Sequence, residues 1–191
     1  MAQSSSDKLN QPSREKRMDR IRRRSRSMAR TCLVTSALLA AAMLLYWATT
    51  PTPILLSHAG LPAVPGAEIG LSVRVLAFAI SMPPLGALIY GLLSARRCFD
   101  AFAAGRIFSS ETIRWLRVFS IAVASSALLK PFAGAALSIL LSWNGGSGAK
   151  TFVLSIGSDT LIALIFAGTV AVIAWVMTEA IEIFDENKQF V

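Results

Sequence analysis

The sequence predicts an all-α membrane protein built as a four-transmembrane-helix bundle, and three observations lead to this class. The chain is 54% hydrophobic and only 16% charged, whereas about a quarter of an ordinary soluble domain is charged. Four apolar runs each have about the twenty residues with which a helix crosses a hydrocarbon core of ~30 Å. Ten of the nineteen lysines and arginines precede residue 31, so the apolar runs carry few charges.

Residues 1–31 form a basic arm ahead of the first span. Residues 1–13 are polar and are predicted to be disordered. Residues 14–30 are rich in arginine and are predicted to bind anionic lipid headgroups, since each basic residue near an anionic leaflet contributes about 1 kcal/mol. The net charge of +8 would also suit nucleic acid. Arginines beside a first span are typical of the positive-inside signal, however, so we expect membrane lipid rather than nucleic acid as the partner.

The predicted membrane domain covers residues 32–191, and its first span runs from about 32 to 49. Tyr46 and Trp47 mark the far interface of this span, because aromatic side chains with a polar tip concentrate at the headgroup level. The segment that follows contains four prolines. Proline has no backbone N–H to donate, so this segment is predicted to be irregular.

The second span runs from about 71 to 95 and carries two prolines in its middle. Pro83 and Pro84 free backbone carbonyls inside the hydrocarbon, so the helix should kink there and neighbouring helices should satisfy those carbonyls. Gly86 and Gly91 lack a Cβ, so both are predicted to let another helix approach closely.

Residues 96–115 are predicted to form a short amphipathic connection between two helix ends. Gly105 can take the left-handed conformation that ends a helix. Ser109 or Ser110 then caps the next helix, and Glu111 lies in its first turn, where a negative charge is favoured.

The third span runs from about 116 to 143 and carries Lys130 followed by Pro131. A lysine at the bilayer centre costs about 2.5–3.5 kcal/mol on insertion scales, so the other spans must shield or pair it. The fourth span runs from about 152 to 177 and contains Asp159.

A count of residues along each span places three charged side chains in the same half of the bilayer. Lys130 extends towards the outer leaflet, where Arg74 and Asp159 lie near the outer ends of their spans. We therefore predict a polar cluster of Arg74, Lys130 and Asp159. Two roles stay open: the cluster fixes helix register or simply snorkels, or it serves sensing or substrate binding.

The C-terminal tail is acidic, and Glu179, Glu182 and Glu186 share one helix face. They either pair with arginines of the connection or form a solvated face. The candidate arginine partners are Arg106, Arg114 and Arg117. The predicted cytoplasmic contact surface comprises Phe102, Gly105, Arg106, Phe108, Arg114, Arg117, Glu179, Glu182 and Glu186.

The sequence contains no constellation that indicates catalysis or a resident metal. His58 is the single histidine, and Cys32 and Cys98 are isolated, so the usual ligand patterns of a metal site are missing. Neither a Walker sequence nor a nucleophile elbow is present. We expect no enzyme activity and no cofactor.

The distribution of basic residues predicts which segments face the cytoplasm. The arm holds ten lysines and arginines and the connection through Arg117 holds five, whereas Arg74 and Lys150 are the basic residues at the edges of the other two loops. Four spans with both termini in the cytoplasm satisfy the positive-inside rule. The turn at residues 144–148 is then external.

The connection also carries a sequence signature. Phe102, Gly105 and Phe108, followed by Leu116-Arg117, resemble the F-x-x-G-x-x-F…LR pattern of the DUF2975 family, and residues 186–191 resemble the ending of proteobacterial members. The resemblance covers roughly residues 33–191 and implies a small bacterial four-helix membrane protein without an assigned activity. Members often lie beside genes for small helix-turn-helix regulators. Many members end in D-L-T-V, and this chain does not.

Together these features predict a multi-pass protein of the bacterial inner membrane that acts as a sensor, regulatory or accessory module. Its cytoplasmic surface would contact a partner protein. The alternative is a small transporter or channel component that uses Lys130 and Asp159 on its pathway. A pathway would need a polar stripe across several helices, and the sequence shows one short cluster. The oligomeric state is left open.

Overall fold

The computed structural model shows an all-α chain of four long helices. It describes residues 3–51, 70–106, 109–144 and 157–189, with side chains over 18–51, 70–106, 109–142 and 157–183. The helices are α1 (Gln3–Thr49), α2 (Leu71–Ala103), α3 (Ser110–Asn144) and α4 (Ser158–Gln189). All four contain a segment long and apolar enough to cross a membrane, so the prediction of four spanning helices is confirmed.

Two helix starts differ from the sequence-based expectation. Helix α1 begins at Gln3, so it includes residues 3–13, for which the sequence predicts disorder. Residues 13–31 contain neither glycine nor proline and are rich in arginine, so they can extend the helix of the first span at one hydrogen bond per added residue. Helix α4 begins at Ser158 rather than near residue 152, because Gly157 is not helical and its carbonyl accepts the Thr160 N–H at 3.1 Å.

The helices pack in chain order. Helix α1 packs against α2, α2 against α3, and α3 against α4. Over the described ranges, extensive contact is confined to these chain neighbours, so α1 and α4 are the two edges of a row. Such a row exposes large apolar side chains on every helix, for example Leu38 of α1 and Ile165 of α4 at 64% and 71%. In a membrane these side chains face lipid.

The contacts between helices are made mainly by small residues. Within residues 18–49, where the side chains of α1 are described, the buried residues are Ser25, Ala29, Ser36 and Trp47. Apart from Trp47, which packs against Ala77 of α2, all of them are small. Lipid chains are as apolar as leucine, so helices associate in membranes by close backbone approach and not by expelling water. Serine and alanine at these positions allow that approach.

The interface between α2 and α3 is the most extensive of these contacts. A Cβ built on Gly91 would lie 3.2 Å from the Cβ of Ala122. Ser126 Oγ donates a hydrogen bond of 2.7 Å to the carbonyl of Pro84, and α2 is continuous through both of its prolines. The prediction for Gly86 is wrong, because a Cβ there would meet no described atom within 4 Å. Gly86 lies about 140° around the helix from Gly91.

Helix α2 ends in the conformation that the sequence predicts. Gly105 has a φ of 82°, and the N–H of Arg106 donates to the carbonyl of Ala101 at 3.0 Å. The N–H of Gly105 donates to the carbonyl of Phe102 at 3.0 Å. These two bonds form a Schellman motif, in which a left-handed residue reverses the chain at almost no steric cost when it is glycine. The prediction for Gly105 is therefore confirmed.

Candidate functional site

The first candidate site is an ion pair between α3 and α4. Lys130 Nζ lies 3.0 Å from Asp159 Oδ2 and donates a hydrogen bond to it. The side chains are 58% and 65% exposed in the isolated chain. The pair therefore bridges two helices at the surface of the row and does not lie between them.

The depth of the pair can be counted in residues from the end of the row that holds the connection between α2 and α3. Lys130 lies thirteen residues from Arg117, which corresponds to about 20 Å of helix. Asp159 lies nineteen residues from Thr178, which corresponds to about 28 Å. The lysine side chain spans this difference by extending towards Asp159. Asp159 thus lies near one edge of a hydrocarbon core ~30 Å thick, and Lys130 lies deeper.

Asp159 occupies the first turn of α4 and not the interior of a span. Four backbone N–H groups at a helix start lack helical partners, and the helix dipole favours a negative charge there. The carboxylate therefore has two sources of stabilisation, the lysine of α3 and the start of its own helix. The expectation that the fourth span begins about six residues earlier, near residue 152, misses the stabilisation by the helix start.

Arg74 does not join this pair. Its Nη2 donates a hydrogen bond of 3.3 Å to the carbonyl of Thr50, which directly follows the end of α1 at Thr49. The last carbonyls of a helix have no helical donor and attract cations. The predicted three-residue cluster is thus a pair, Lys130 and Asp159, with Arg74 capping a neighbouring helix.

Gly157 should be required for the position of Asp159. A Cβ on Gly157 would collide with Asp159 Oδ1. We expect Gly157→Ala to displace the carboxylate from Lys130 and to lower the thermal midpoint of the purified protein. Gly168→Ala on the same helix is the matched control, since a Cβ there would meet no described atom within 4 Å. Equal midpoints for the two variants would contradict this reading of the helix start.

The second candidate site is the connection between α2 and α3. Ser109 is the cap of α3, because its Oγ accepts the Thr112 N–H at 3.2 Å. Thr112 Oγ1 donates to the carbonyl of Arg106 at 2.9 Å. Arg106 Nη1 donates to Glu111 Oε2 at 2.8 Å. The polar groups of the turn thus satisfy one another and hold both helix ends in one geometry.

Two further arginines at this end contact one aromatic ring. The guanidinium carbon of Arg97 lies 4.4 Å from the centroid of the Trp115 ring, and that of Arg114 lies 5.2 Å from it. Arg97 and Trp115 were missing from the sequence-based contact surface. The sequence does contain a signal for them, which is a tryptophan close to a pair of arginines at the end of a span. Tryptophan and arginine side chains both concentrate at the headgroup level.

The acidic residues of α4 do not pair with the connection where side chains are described. Glu179 and Glu182 are exposed, and the ion pairs described at this end are Arg106–Glu111 and Arg96–Asp100. The buried stripe of α4 consists of Thr160, Ala167 and Ala174. Glu179 and Glu182 lie about 140° and 80° around the helix from Ala174, so Glu179 faces away from α3 and Glu182 points to the side. The side chains of Phe108 and Glu186 lie outside the described residues.

The basic arm lies beside the connection. A Cβ on Gly105 would lie 3.9 Å from Met18 Cε and 4.0 Å from Arg22 Nη2. One face of this part of α1 borders an open cavity of about 540 Å³. The cavity is lined by Asp19, Arg22, Arg23, Arg26, Ser27 and Arg30. The described residues contain no group of three histidine, cysteine, aspartate or glutamate side chains that could hold a metal ion.

Comparison with known proteins identifies a family. A family model described as "Protein of unknown function (DUF2975)" matches residues 66–191. This segment contains the connection and the Lys130–Asp159 pair, whereas the basic arm and the first span precede it. The match is shorter than the resemblance from residue 33 suggests. No curated protein and no solved structure gives a significant match. Because the family match extends over about two thirds of the chain, this multi-pass membrane protein belongs to the DUF2975 family.

Proposed function

We propose that the protein is a non-enzymatic sensor, regulatory or accessory module of the bacterial inner membrane that acts through a partner protein. Both termini and the connection between α2 and α3 would face the cytoplasm. The observation that carries this proposal is the exposed pair of carboxylates on α4, Glu179 and Glu182, which have no arginine partner among the described side chains. Charges of one sign on one helix face can recognise a basic surface of a partner.

The hydrogen bonds and the ion pair within the connection between α2 and α3 support this proposal. Its caps and its Arg106–Glu111 ion pair fix the ends of α2 and α3 without help from α4. Glu179 and Glu182 are therefore not needed to hold the ends of α2 and α3 in place. The resemblance to a family often found beside helix-turn-helix regulators favours a regulatory partner over other classes of protein.

The distribution of charge along the membrane favours this proposal over a transport pathway. Lys130 and Asp159 form one pair at one depth, on the surface of the row. A pathway needs polar groups at several depths facing a common cavity. The buried polar side chains of α3 within its described range are serines and a threonine. Several serines donate to carbonyls of their own helix, as Ser120 and Ser138 do.

A charge reversal tests the proposed partner surface. We expect Glu179→Lys together with Glu182→Lys to abolish cross-linking between a photoreactive residue on this helix face and its cytoplasmic partner in cells. The protein level should be unchanged, since neither side chain is buried or paired in the described structure. Asp19→Lys is the control, because it reverses another exposed acidic residue at the same end of the molecule.

Two results would count against the proposal. One is cross-linking that persists at the wild-type level in the double variant. The other is a topology in which reporters fused within residues 144–148 and at the N-terminus lie on the same side of the membrane. The topology measurement is independent of the partner, so the two parts of the proposal can fail separately.

A further inference from the structure

Trp115 is contacted by two cationic side chains that come from different helices. Arg97 belongs to α2 and Arg114 to α3, and their guanidinium carbons lie 4.4 Å and 5.2 Å from the centre of the indole ring. A guanidinium is attracted to an aromatic face within about 6 Å of the centroid. Both guanidinium carbons therefore lie beside one ring at the end of the α2–α3 interface, and these two distances place them at most about 10 Å apart.

These two charges are not balanced by nearby carboxylates. Asp100 pairs with Arg96 at 3.7 Å and Glu111 pairs with Arg106 at 2.8 Å. Among the described side chains, Arg97 and Arg114 have no carboxylate partner, and both are exposed. Like charges held near each other repel, so an anion that contacts both would be favoured. A guanidinium also offers donors in a planar fork that suits phosphate oxygens.

The position of this group along α2 places it at the headgroup level. Arg97 lies twenty-six residues beyond Leu71, the first residue of α2, which corresponds to about 39 Å of helix. The hydrocarbon core is ~30 Å thick and the whole bilayer is ~40–45 Å thick. A helix that enters the core at Leu71 thus carries Arg97 into the layer that contains lipid phosphates. Tryptophan also prefers this layer.

We propose that Arg97, Trp115 and Arg114 bind the phosphate of an anionic phospholipid. The two guanidiniums donate hydrogen bonds to the phosphate oxygens, and the indole orients both of them. The site is built from α2 and α3, so it is separate from the arginine face of α1. It also does not depend on the proposed partner surface, because none of its residues lies on α4.

The test measures lipid retention by native mass spectrometry of the full-length protein in detergent. The probes are dioleoylphosphatidylglycerol, which is anionic, and dioleoylphosphatidylcholine, which has the same chains and no net charge. We expect the wild type to retain the anionic lipid preferentially. Arg97→Gln and Arg114→Gln should each reduce its retention about fivefold, the effect of losing one basic contact with an anionic headgroup.

Arg96→Gln is the matched control. It removes one positive charge from the residue next to Arg97 and leaves the arm of α1 intact, but its guanidinium already pairs with Asp100. Retention in this variant should stay close to the wild-type level. Circular dichroism of each variant shows whether the helices remain. Arg97→Lys supplies a second measurement in case Arg97→Gln fails to fold, because it keeps the charge and loses the planar fork.

Three outcomes would overturn the inference. An equal loss in the Arg96, Arg97 and Arg114 variants would mean that general charge, and not this site, retains the lipid. Equal retention of the two lipids by the wild type would mean that the chains alone are recognised. Displacement of phosphatidylglycerol by millimolar inorganic phosphate would assign the site to a soluble phosphate compound rather than to a membrane lipid.

Discussion

Replacing Gly91 by leucine should separate α2 from α3 and destabilise the protein by about 3 kcal/mol, the upper range for overpacking a well-packed interface. The first added carbon would already lie 3.2 Å from Ala122 Cβ, and the carbonyl of Phe119 would lie 3.6 Å from it. Backbone cannot move aside as a flexible side chain can. The two helices must therefore part, and the hydrogen bond from Ser126 to Pro84 would be strained or lost.

Gly86→Leu on the same helix is the control for this substitution. It makes the same chemical change five residues away, where the position is exposed and a Cβ would meet no described atom within 4 Å. The free energy of unfolding, measured by denaturant titration in mixed micelles, should fall for Gly91→Leu and change little for Gly86→Leu. Similar losses for both variants would show that glycine content, and not helix approach, determines the stability of α2.

Removing either member of the Lys130–Asp159 pair should destabilise the protein more than removing both. Asp159→Asn keeps the shape of the side chain but leaves Lys130 within its span without a counter-charge, and Lys130→Met leaves the carboxylate without its lysine. In Lys130→Met/Asp159→Asn both charges are gone. We therefore expect the thermal midpoint of the double variant to lie above that of either single variant.

The pair is exposed to the surroundings of the row, so its environment decides the size of this effect. The measurement should be made in nanodiscs as well as in detergent, since water reaches the pair more easily in a micelle than in a bilayer. The coupling between the two substitutions should be larger in nanodiscs. Additive effects of the two single substitutions in a bilayer would show that each charge reaches water or lipid headgroups independently.

The features that follow from a count along one helix could be predicted from the sequence. The four spans follow from the length of the apolar runs, and the left-handed conformation of Gly105 follows from glycine at a helix end. Lys130 and Asp159 lie together because a helix rises by a fixed amount per residue, so residue counts give depth. The signature in the connection also identified the family that the comparison shows.

The features that depend on the rotation of a helix about its axis could not be predicted in this way. Arg74 lies in the first turn of α2, but only the packing of α1 against α2 brings it to the carbonyl of Thr50. Gly86 and Gly91 are equivalent in the sequence, and the interface selects one of them. Hydropathy likewise does not say which helix packs against which, so the row order of the helices is information that the structure adds.

The start of α4 was missed for a different reason. Residues 152–156 are mostly apolar and resemble the beginning of a span, and they lie outside the described residues. Gly157 and Asp159 carried a better signal, since a glycine followed by a serine and an acidic residue is typical of a helix start.

The uninterrupted course of α1 has a mechanical consequence. Its membrane segment and its arginine-rich segment are parts of one rod, with no hinge between Cys32 and Met18. Fourteen residues of helix correspond to about 21 Å, so a pivot of about 10° at the bilayer surface would swing Met18 sideways by about 4 Å. Met18 and Arg22 lie next to Gly105. A change in bilayer thickness that tilts α1 would therefore displace the turn between α2 and α3.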